Sequence, residues 1–493
     1  MGHWSDGVLS AFFPAWLAIL HYYAPRNIGS DTVSRVKRPH AGTLPLTLPP
    51  LQAVAIPRRF ASFVMRQIGI GLAGLGTVGA GVYRHLLQNR VLLAERLGLE
   101  LSVQRIAVRN PSLPRSVQPP ADLLTSHWEA VVDDPAVEIV VELMGGIDVP
   151  HEFLLRALEV GKPVVTGNKA LLAEHGVELF QKAAEKGVPV FFEAAVAGGI
   201  PIIKSIREGF IGNHIESIHA ILNGTSNYIL TRMTESGLEF PESLREAQNA
   251  GYAEADPTLD VNGWDAAHKA IILASLAYGF WVNTQQIHVE GIEKVTAADI
   301  RFTDGLGYCI KLVATIRANA DSSIEVRVHP TLVPKSHVLA SVNGVFNALM
   351  VRGDVVGDTL FYGRGAGQDP TASSVISDLA QAAIWLDSGG KAFGFVPHGL
   401  YGKCLPADQI HSAFYLRLTV EDKPGVLAQI AGILGSYQIG ISSVIQPESH
   451  EASAVPLVLM IHDAPFGRTQ TAVERIASLE CVKAPPVLLW VLS

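Results

Sequence analysis

The chain has few cysteines and no excess of positive charge, and both features exclude classes of protein. Its three cysteines, Cys309, Cys404 and Cys481, lie far apart and form no CxxC pair, which is typical of a reducing compartment. The net charge of −8 argues against a nucleic-acid-binding surface. The 17 histidines include no H-x-x-x-H pair, so the helical zinc motif is absent. We therefore expect a cytoplasmic protein that binds neither nucleic acid nor membranes.

Residues 1–64 differ in composition from the rest, with more basic than acidic residues and scattered prolines. Their apolar run over residues 8–24 is short for a membrane span, which needs about 20 residues, and Pro14 interrupts it. Three interpretations stay open: a disordered extension, an organelle-targeting segment, or a sequence upstream of a true translation start at Met65.

A glycine-rich turn marks the start of the first domain. The apolar strand predicted at residues 67–72 runs into G-x-G-x-x-G, and a helix follows from Ala80. This motif between a strand and a helix predicts a dinucleotide site, because its glycines permit a tight turn, close approach of the pyrophosphate and helix packing. The N–H groups at the helix start then face the phosphates. The predicted coenzyme contacts here are Gly74, Gly76, Thr77, Val78 and Gly79.

Further residues at strand ends are expected to contact the same coenzyme. Arg109 follows the second predicted strand, where NAD-preferring sites carry an acidic residue, and a guanidinium can pair with a 2′-phosphate. NADPH is therefore favoured and NADH is the alternative, unless Arg109 is only a solvated loop residue. Gly145 and Lys169 follow later strands at the edge where ligands bind. Lys169 also fits a solvated helix start, and Gly367 lies in a glycine-rich turn before another helix.

The densest polar cluster lies at residues 247–269. Apolar residues recur at helical spacing from Asn262 onward, and Asp265 and Lys269, four residues apart, share one helix face. The apolar run that follows predicts a buried helix, so this pair should not be an ordinary exposed ion pair. With Glu254 in the preceding loop, two carboxylates and one ammonium should lie near one point.

The string GYAEADPTLDVNGWDAAHK at residues 251–269 resembles the signature of homoserine dehydrogenases, as does NGTSNY at residues 223–228. The resemblance extends from about Arg66 to the C terminus. It implies NADPH-dependent reduction of L-aspartate-4-semialdehyde to L-homoserine. The residues of the second string by themselves indicate a turn, with Thr225 or Ser226 capping the next helix.

The proposed chemistry gives each residue of the cluster a role. Lys269 is the expected proton donor with Lys169 as the second candidate, and Asp265 should orient Lys269. Glu254 should bind the substrate's α-ammonium group, while Lys169 and Asp265 also border the substrate. Charge complementarity alone fits other amino-semialdehydes, and a non-catalytic amino-acid sensor on the same scaffold is a further alternative.

The resemblance also implies a sodium site in the loop at residues 193–200. Backbone oxygens suit hard cations, although the residues alone indicate only a tight connection. The positions carried over are Glu193, Val196, Gly198 and Ile200.

The C-terminal residues are predicted to form a βαββαβ module, and DKPGVL at residues 422–427 resembles an ACT domain. Such domains bind amino acids between paired copies, so the resemblance implies feedback by threonine and a homodimer or homotetramer. A dimerisation module without a ligand is the alternative.

These expectations define an α/β protein with several domains, as its length requires. A Rossmann-type parallel-sheet domain precedes an α+β catalytic and dimerisation domain with a mixed sheet, and the ACT-like domain follows. The expected bounds are 1–64 for the extension, 65–199 completed by 361–390 for the dinucleotide-binding domain, 200–360 for the catalytic domain, 391–412 for a linker and 413–493 for the ACT-like domain.

Overall fold

The computed structural model describes residues 65–389, 395–446 and 454–492. The predicted extension 1–64, with its apolar run, lies outside the described residues, as do parts of the predicted linker and of the C-terminal module. No helix in the described ranges combines the length and apolarity needed to cross a membrane.

A parallel sheet with helices on both sides forms the first part of the described chain. Its strands are β1 (Arg66–Ala73), β2 (Leu99–Ala107), β3 (Leu124–Thr125), β4 (Ile139–Glu142), β5 (Val164–Thr166) and β6 (Val190–Phe191). Its helices are α1 (Thr77–Gln88), α2 (Arg90–Leu97), α3 (Glu129–Val132), α4 (Asp148–Glu159) and α5 (Lys169–Lys186). The strand order β3-β2-β1-β4-β5-β6 is that of a Rossmann fold, which confirms the predicted fold class.

The central strands of this sheet are buried on both faces, as parallel strands require. Ile139, Val140 and Val141 of β4 are fully buried, and so is Glu142, the last residue of the strand. The carboxyl ends of β1, β4 and β5 meet at one edge, which we call the front edge of the sheet. The turns and helix starts that follow these three strands therefore lie side by side.

The second part of the chain forms a mixed sheet covered by helices. Its elements are α6 (Ile202–Lys204), β7 (Ile215–Ile221), α7 (Gly224–Ser236), α8 (Phe240–Asn249), α9 (Thr258–Val261), α10 (Trp264–Tyr278), β8 (His288–Val289), α11 (Ala297–Gly305), β9 (Tyr308–Ala318), β10 (Ser323–Pro334), β11 (Phe346–Gly353), β12 (Gly357–Arg364) and α12 (Gln368–Ser388). The strand order is β12-β11-β7-β9-β10, with antiparallel neighbours.

Helix α12 returns to the parallel sheet. Its residues Ala372, Val375 and Leu379 share a buried core with Ile70 and Leu72 of β1. The helix therefore packs on the side of the sheet that carries the glycine-rich turn.

The C-terminal module has the predicted βαββαβ order. Its elements are β14 (His411–Val420), α13 (Val426–Ser436), β15 (Ile441–Ile445), β16 (Val455–Pro465), α14 (Phe466–Ala477) and β17 (Val482–Val491). The short strand β13 (Lys403–Cys404) precedes the module and pairs with β10. The antiparallel strands of the module follow the order β17-β14-β16-β15. Strand β17 pairs with β10, so the module extends the mixed sheet. This pairing covers two strand edges that would otherwise be exposed.

A buried ion pair also attaches the module to the catalytic part. Asp299 of α11 is fully buried, and its carboxylate accepts hydrogen bonds from Arg417 Nε at 2.6 Å and from Tyr415 Oη at 3.0 Å. Both donors lie on β14. A buried charge pair of this kind depends on every partner, because removal of one leaves the other uncompensated.

Candidate active site

The three glycines of the G-x-G-x-x-G turn have different surroundings. A Cβ at Gly74, whose φ is +101°, would lie 2.3 Å from the Leu143 carbonyl oxygen, and a Cβ at Gly79 would lie 2.1 Å from the Gly74 carbonyl oxygen. A Cβ at Gly76 would meet no described atom within 4 Å. The absence of a side chain at Gly74 and Gly79 therefore allows close packing of the backbone, whereas Gly76 leaves open space at the start of α1. This open space suits a pyrophosphate at the helix N-terminus.

Other predicted coenzyme contacts lie around the front edge of the sheet. Gly145 has a left-handed backbone with φ of +74°, and a Cβ there would also have open space around it, so the turn after β4 is open. Arg109 is exposed just beyond β2. Gly367, with φ of +122°, directly precedes α12. The residues thus fit a dinucleotide, although their individual contacts stay predictions.

The predicted lysine–carboxylate pair lies on α10, where Lys269 is buried and Asp265 is largely buried. Lys269 is 8% exposed, and its Nζ donates hydrogen bonds to Asp265 Oδ2 and to the Leu222 carbonyl oxygen, both at 2.7 Å. Lys169 Nζ lies 3.2 Å from Asp265 Oδ1. One carboxylate therefore contacts two ammonium groups from distant parts of the chain. Since Lys169 begins α5 directly after β5, this contact places α10 at the front edge of the parallel sheet.

The electrostatics of Asp265 follow from this arrangement. Burial alone would raise the pKa of Asp265, but the charges of Lys269 and Lys169 outweigh burial and hold that pKa well below its usual range. By contrast, burial raises the pKa of the neighbouring Asp260. Asp265 is therefore an ionised partner that keeps positive charge in the site.

Sequence reasoning missed the role of Asn223. Its Nδ2 donates hydrogen bonds to Asp265 Oδ2 at 2.8 Å and to Asp260 Oδ1 at 2.7 Å, which links two carboxylates. Its Oδ1 accepts the backbone N–H of Ser226 and caps α7. The predicted cap at Thr225 or Ser226 is therefore wrong by two or three residues. The turn signal at Asn223 was visible in the sequence, but its carboxylate partners lie 37 and 42 residues away.

Glu254 lies on an exposed loop before α9. In the described part of the chain, no hydrogen bond or ion pair connects its carboxylate to Asp265, Lys169 or Lys269. Its predicted role in binding the substrate's ammonium group stays a prediction.

The loop predicted to hold a cation lies buried between β6 and α6. Ala197 and Gly198 both have left-handed backbone, with φ of 55° and 47°, which redirects successive carbonyl groups. The Gly198 carbonyl accepts a hydrogen bond from Ser374 Oγ at 2.6 Å, and the Glu193 carboxylate accepts two N–H groups of α6 at 2.9 Å each. Since a carbonyl oxygen has two lone pairs, the loop still fits a hard cation.

A second group of potential metal ligands lies on α4 and α5. Ligand atoms of His151, His175 and Glu178 lie within 4.8 Å of one another. His151 Nε2 and Glu178 Oε2 are 2.9 Å apart, and the two imidazole rings stack at 4.2 Å, so these contacts account for the group without an ion. No sequence motif indicates this group, because its members come from two helices.

A Rossmann-type sheet with two lysines on one carboxylate at its front edge indicates a nicotinamide-dependent oxidoreductase. Three family models agree with this class and refine it. The model described as the NAD binding domain of homoserine dehydrogenase matches residues 74–193, the homoserine dehydrogenase model matches residues 201–380, and the ACT domain model matches residues 414–481.

Individual relatives lead to the same result. The chain is 47% identical to the homoserine dehydrogenase of Pseudomonas aeruginosa over 435 residues, which cover 87% of this chain and 99% of that protein. It is 43% identical to the Synechocystis enzyme over 436 residues, covering 86% of this chain and 100% of that protein. The crystal structure of the Thiobacillus denitrificans homoserine dehydrogenase covers 87% of this chain and 99% of its own, with 42% identity and a TM-score of 0.79. The chain belongs to the homoserine dehydrogenase family, which confirms the resemblance.

The glycine geometry yields a paired prediction. Gly76→Ala should leave the fold unchanged and weaken coenzyme binding by about 10-fold or more, because the new methyl group enters only the open space at α1. Gly79→Ala should lower the thermal midpoint, since overpacking typically costs about 1–3 kcal/mol. Thermal unfolding and calorimetric titration with NADPH measure both effects. Wild-type coenzyme affinity in Gly76→Ala would contradict the assignment.

Proposed function

We propose that this chain reduces L-aspartate-4-semialdehyde to L-homoserine with NADPH at the site formed by Asp265, Lys169 and Lys269. The observation that carries the proposal is the single buried carboxylate held between two lysines at the front edge of the coenzyme sheet. This arrangement brings positive charge and a source of protons to the place where a nicotinamide ring would lie.

Reduction of an aldehyde adds a hydride to carbon and a proton to oxygen. The bound coenzyme supplies the hydride. Lys269 supplies the proton: two of its three N–H bonds are directed at Asp265 and at the Leu222 carbonyl, which leaves the third for the aldehyde oxygen. Asp265 holds that ammonium in place through the 2.7 Å hydrogen bond and so orients it for transfer. Lys169, which is partly exposed, is the second candidate for this role and contacts the substrate.

The substrate also carries an amino-acid head group. We assign its α-ammonium to Glu254, whose exposed carboxylate is accessible to a ligand. The carboxylate of the same head group is attracted by the two ammonium groups around Asp265.

We assign the preference for NADPH to Arg109. Its side chain is exposed at the end of β2, where the ribose 2′ position of a dinucleotide lies in this fold, and a guanidinium binds phosphate with paired hydrogen bonds. A related hyperthermophilic archaeal homoserine dehydrogenase, 28% identical, has been solved in complex with NADPH. The alternative coenzyme is NADH.

We further propose that a monovalent cation, Na⁺, binds the buried loop at residues 193–200. Support comes from the left-handed backbone at Ala197 and Gly198 and from the nearby Glu193 carboxylate. The oxygens assigned to it belong to Glu193, Val196, Gly198 and Ile200.

The ACT domain indicates allosteric regulation, and we propose threonine as the effector. A cavity of about 290 Å³ lies at the loop between β14 and α13, lined by charged and backbone groups of Glu421, Asp422 and Gly425. Charged and backbone groups of this kind bind the two ends of an amino acid. We propose a homodimer or homotetramer in which these modules pair.

The main test is NADPH oxidation with aspartate semialdehyde, run beside NADH and rival amino-semialdehydes. Lys269→Ala should lower kcat by about 10²- to 10⁴-fold, the usual contribution of a general acid, with coenzyme affinity retained. Lys311→Ala serves as the control, because Lys311 is also a buried lysine but lies on β9 outside the proposed site. Normal turnover by Lys269→Ala would refute the proton-donor assignment.

Sodium binding predicts a specific salt effect. At constant ionic strength, NaCl should raise the thermal midpoint and the turnover rate above the values in choline chloride, because a ligand that binds only the native state stabilises it. Scanning calorimetry and the NADPH assay provide the two measurements. Identical behaviour in both salts would rule out the cation.

Threonine should reduce the rate of NADPH oxidation, whereas valine, which lacks the hydroxyl group, should act far more weakly. Asp422→Ala should raise the threonine concentration for half-inhibition by roughly 10-fold, since a hydrogen bond to a charged group contributes about 1.5–3 kcal/mol. Glu474→Ala, an exposed substitution on α14, is the matched control. Inhibition curves that are unchanged by Asp422→Ala would place the effector elsewhere.

A further inference from the structure

Glu142 is a buried acidic residue that the proposed chemistry does not use. It ends β4, a strand whose other residues are apolar, and it is 0% exposed. Burial raises the pKa of its carboxyl group. Burial of a carboxyl group in the centre of a parallel sheet costs free energy unless its oxygens are hydrogen-bonded. The hydrogen-bond partners of Glu142 therefore indicate its role.

Those partners lie in two different turns at the front edge. The backbone N–H of Met144 donates to Glu142 Oε1 at 2.8 Å, and Thr166 Oγ1 donates to Oε2 at 2.7 Å. Met144 begins the turn after β4, and Thr166 ends β5. One side chain therefore fixes the turn that contains Gly145 relative to the end of the neighbouring strand.

The hydrogen bonds continue from Thr166 to the start of α5. The Thr166 hydroxyl accepts the backbone N–H of Asn168 at 3.0 Å. Asn168 in turn donates from Nδ2 to the Gly146 carbonyl at 2.7 Å and caps α5 by accepting the backbone N–H of Leu171 at 3.2 Å. Lys169 is the first residue of that helix. A continuous set of hydrogen bonds thus runs from Glu142 to the backbone that carries Lys169.

We propose that Glu142 is a positioning residue that holds Lys169 and the Gly145–Gly146 turn in the geometry needed for hydride and proton transfer. The inference rests on the proposed function of the site. Glu142 acts through Thr166 and Asn168, and the end point of its action is the 3.2 Å contact between Lys169 and Asp265. A carboxyl group that only filled space would contribute stability without affecting this contact.

The first test uses Glu142→Gln, which keeps the shape but replaces one acceptor oxygen with a donor. For the folded protein, kcat should fall by about 10- to 100-fold, because a displacement near 1 Å at a reacting group can cost about 10²-fold. Glu325→Gln is the matched control, since Glu325 is a buried carboxylate of β10 outside the site. It should change the thermal midpoint and leave kcat unchanged.

A second pair of variants keeps the test valid if Glu142→Gln does not fold. Thr166→Val removes the hydroxyl group and should lower kcat as Glu142→Gln does, whereas Thr166→Ser should restore it. The double variant should be no worse than either single one, because both act through the same hydrogen bonds. Additive losses, or a normal kcat in Thr166→Val, would overturn the proposal.

A measurement that does not depend on turnover tests the positioning role of Glu142 separately from the proposed reaction. Labelling of Lys169 by an N-hydroxysuccinimide ester, followed by peptide mass spectrometry, should be several-fold faster in Glu142→Gln and Thr166→Val, because the amine leaves Asp265. Lys182 on the same helix, paired with Glu159, is the internal control and should not change. Unchanged labelling of Lys169 overturns the positioning role, whereas inactivity of the wild-type enzyme toward aspartate semialdehyde overturns only the proposed reaction.

Discussion

The arrangement of the active site depends on the contact of one carboxylate, Asp265, with two lysines. Burial of a charge costs several kcal/mol, and it is tolerated only where opposite charges and hydrogen bonds compensate. Lys269 comes from the same helix, Lys169 from the front edge of the coenzyme sheet, and Asn223 from the end of β7. Because the three partners belong to different parts of the chain, the requirement to neutralise Asp265 also aligns those parts. The geometry of the proposed site and the packing of these parts are therefore set by the same contact.

This contact leaves the site with a surplus of positive charge. Two ammonium groups contact the one ionised carboxylate of Asp265, and burial raises the pKa of the neighbouring Asp260. In the proposed reaction, positive charge fixed at this place would stabilise the oxygen that becomes negative as hydride reaches the aldehyde. Asp265 and the Leu222 carbonyl already hold the Lys269 ammonium in place, as the proposed proton transfer requires.

The sequence predicted features that depend on residues close together in the chain. The G-x-G-x-x-G turn and the pairing of Asp265 with Lys269 follow from spacings of a few residues, and both are found as expected. The links through Asn223 and Glu142, and the contact of Lys169 with Asp265, join residues far apart in the chain, so periodicity does not encode them. The sequence also did not predict the pairing of β17 with β10, because the sequence of a strand does not specify which strand edge it pairs with.

The continuous sheet constrains how the ACT domain can act on the site. Strand β14 begins the module, and its Arg417 binds Asp299 of α11. Helix α11 packs against α7, and Asn223, which caps the N-terminus of α7, contacts Asp265. These contacts provide the contiguous physical connection that coupling between distant sites can use. A module on a flexible linker could move without disturbing the enzyme. Here, β14 is attached to the catalytic part through β17, which pairs with β10, and through the ion pair of Arg417 with Asp299, so a displacement of β14 would act directly on α11.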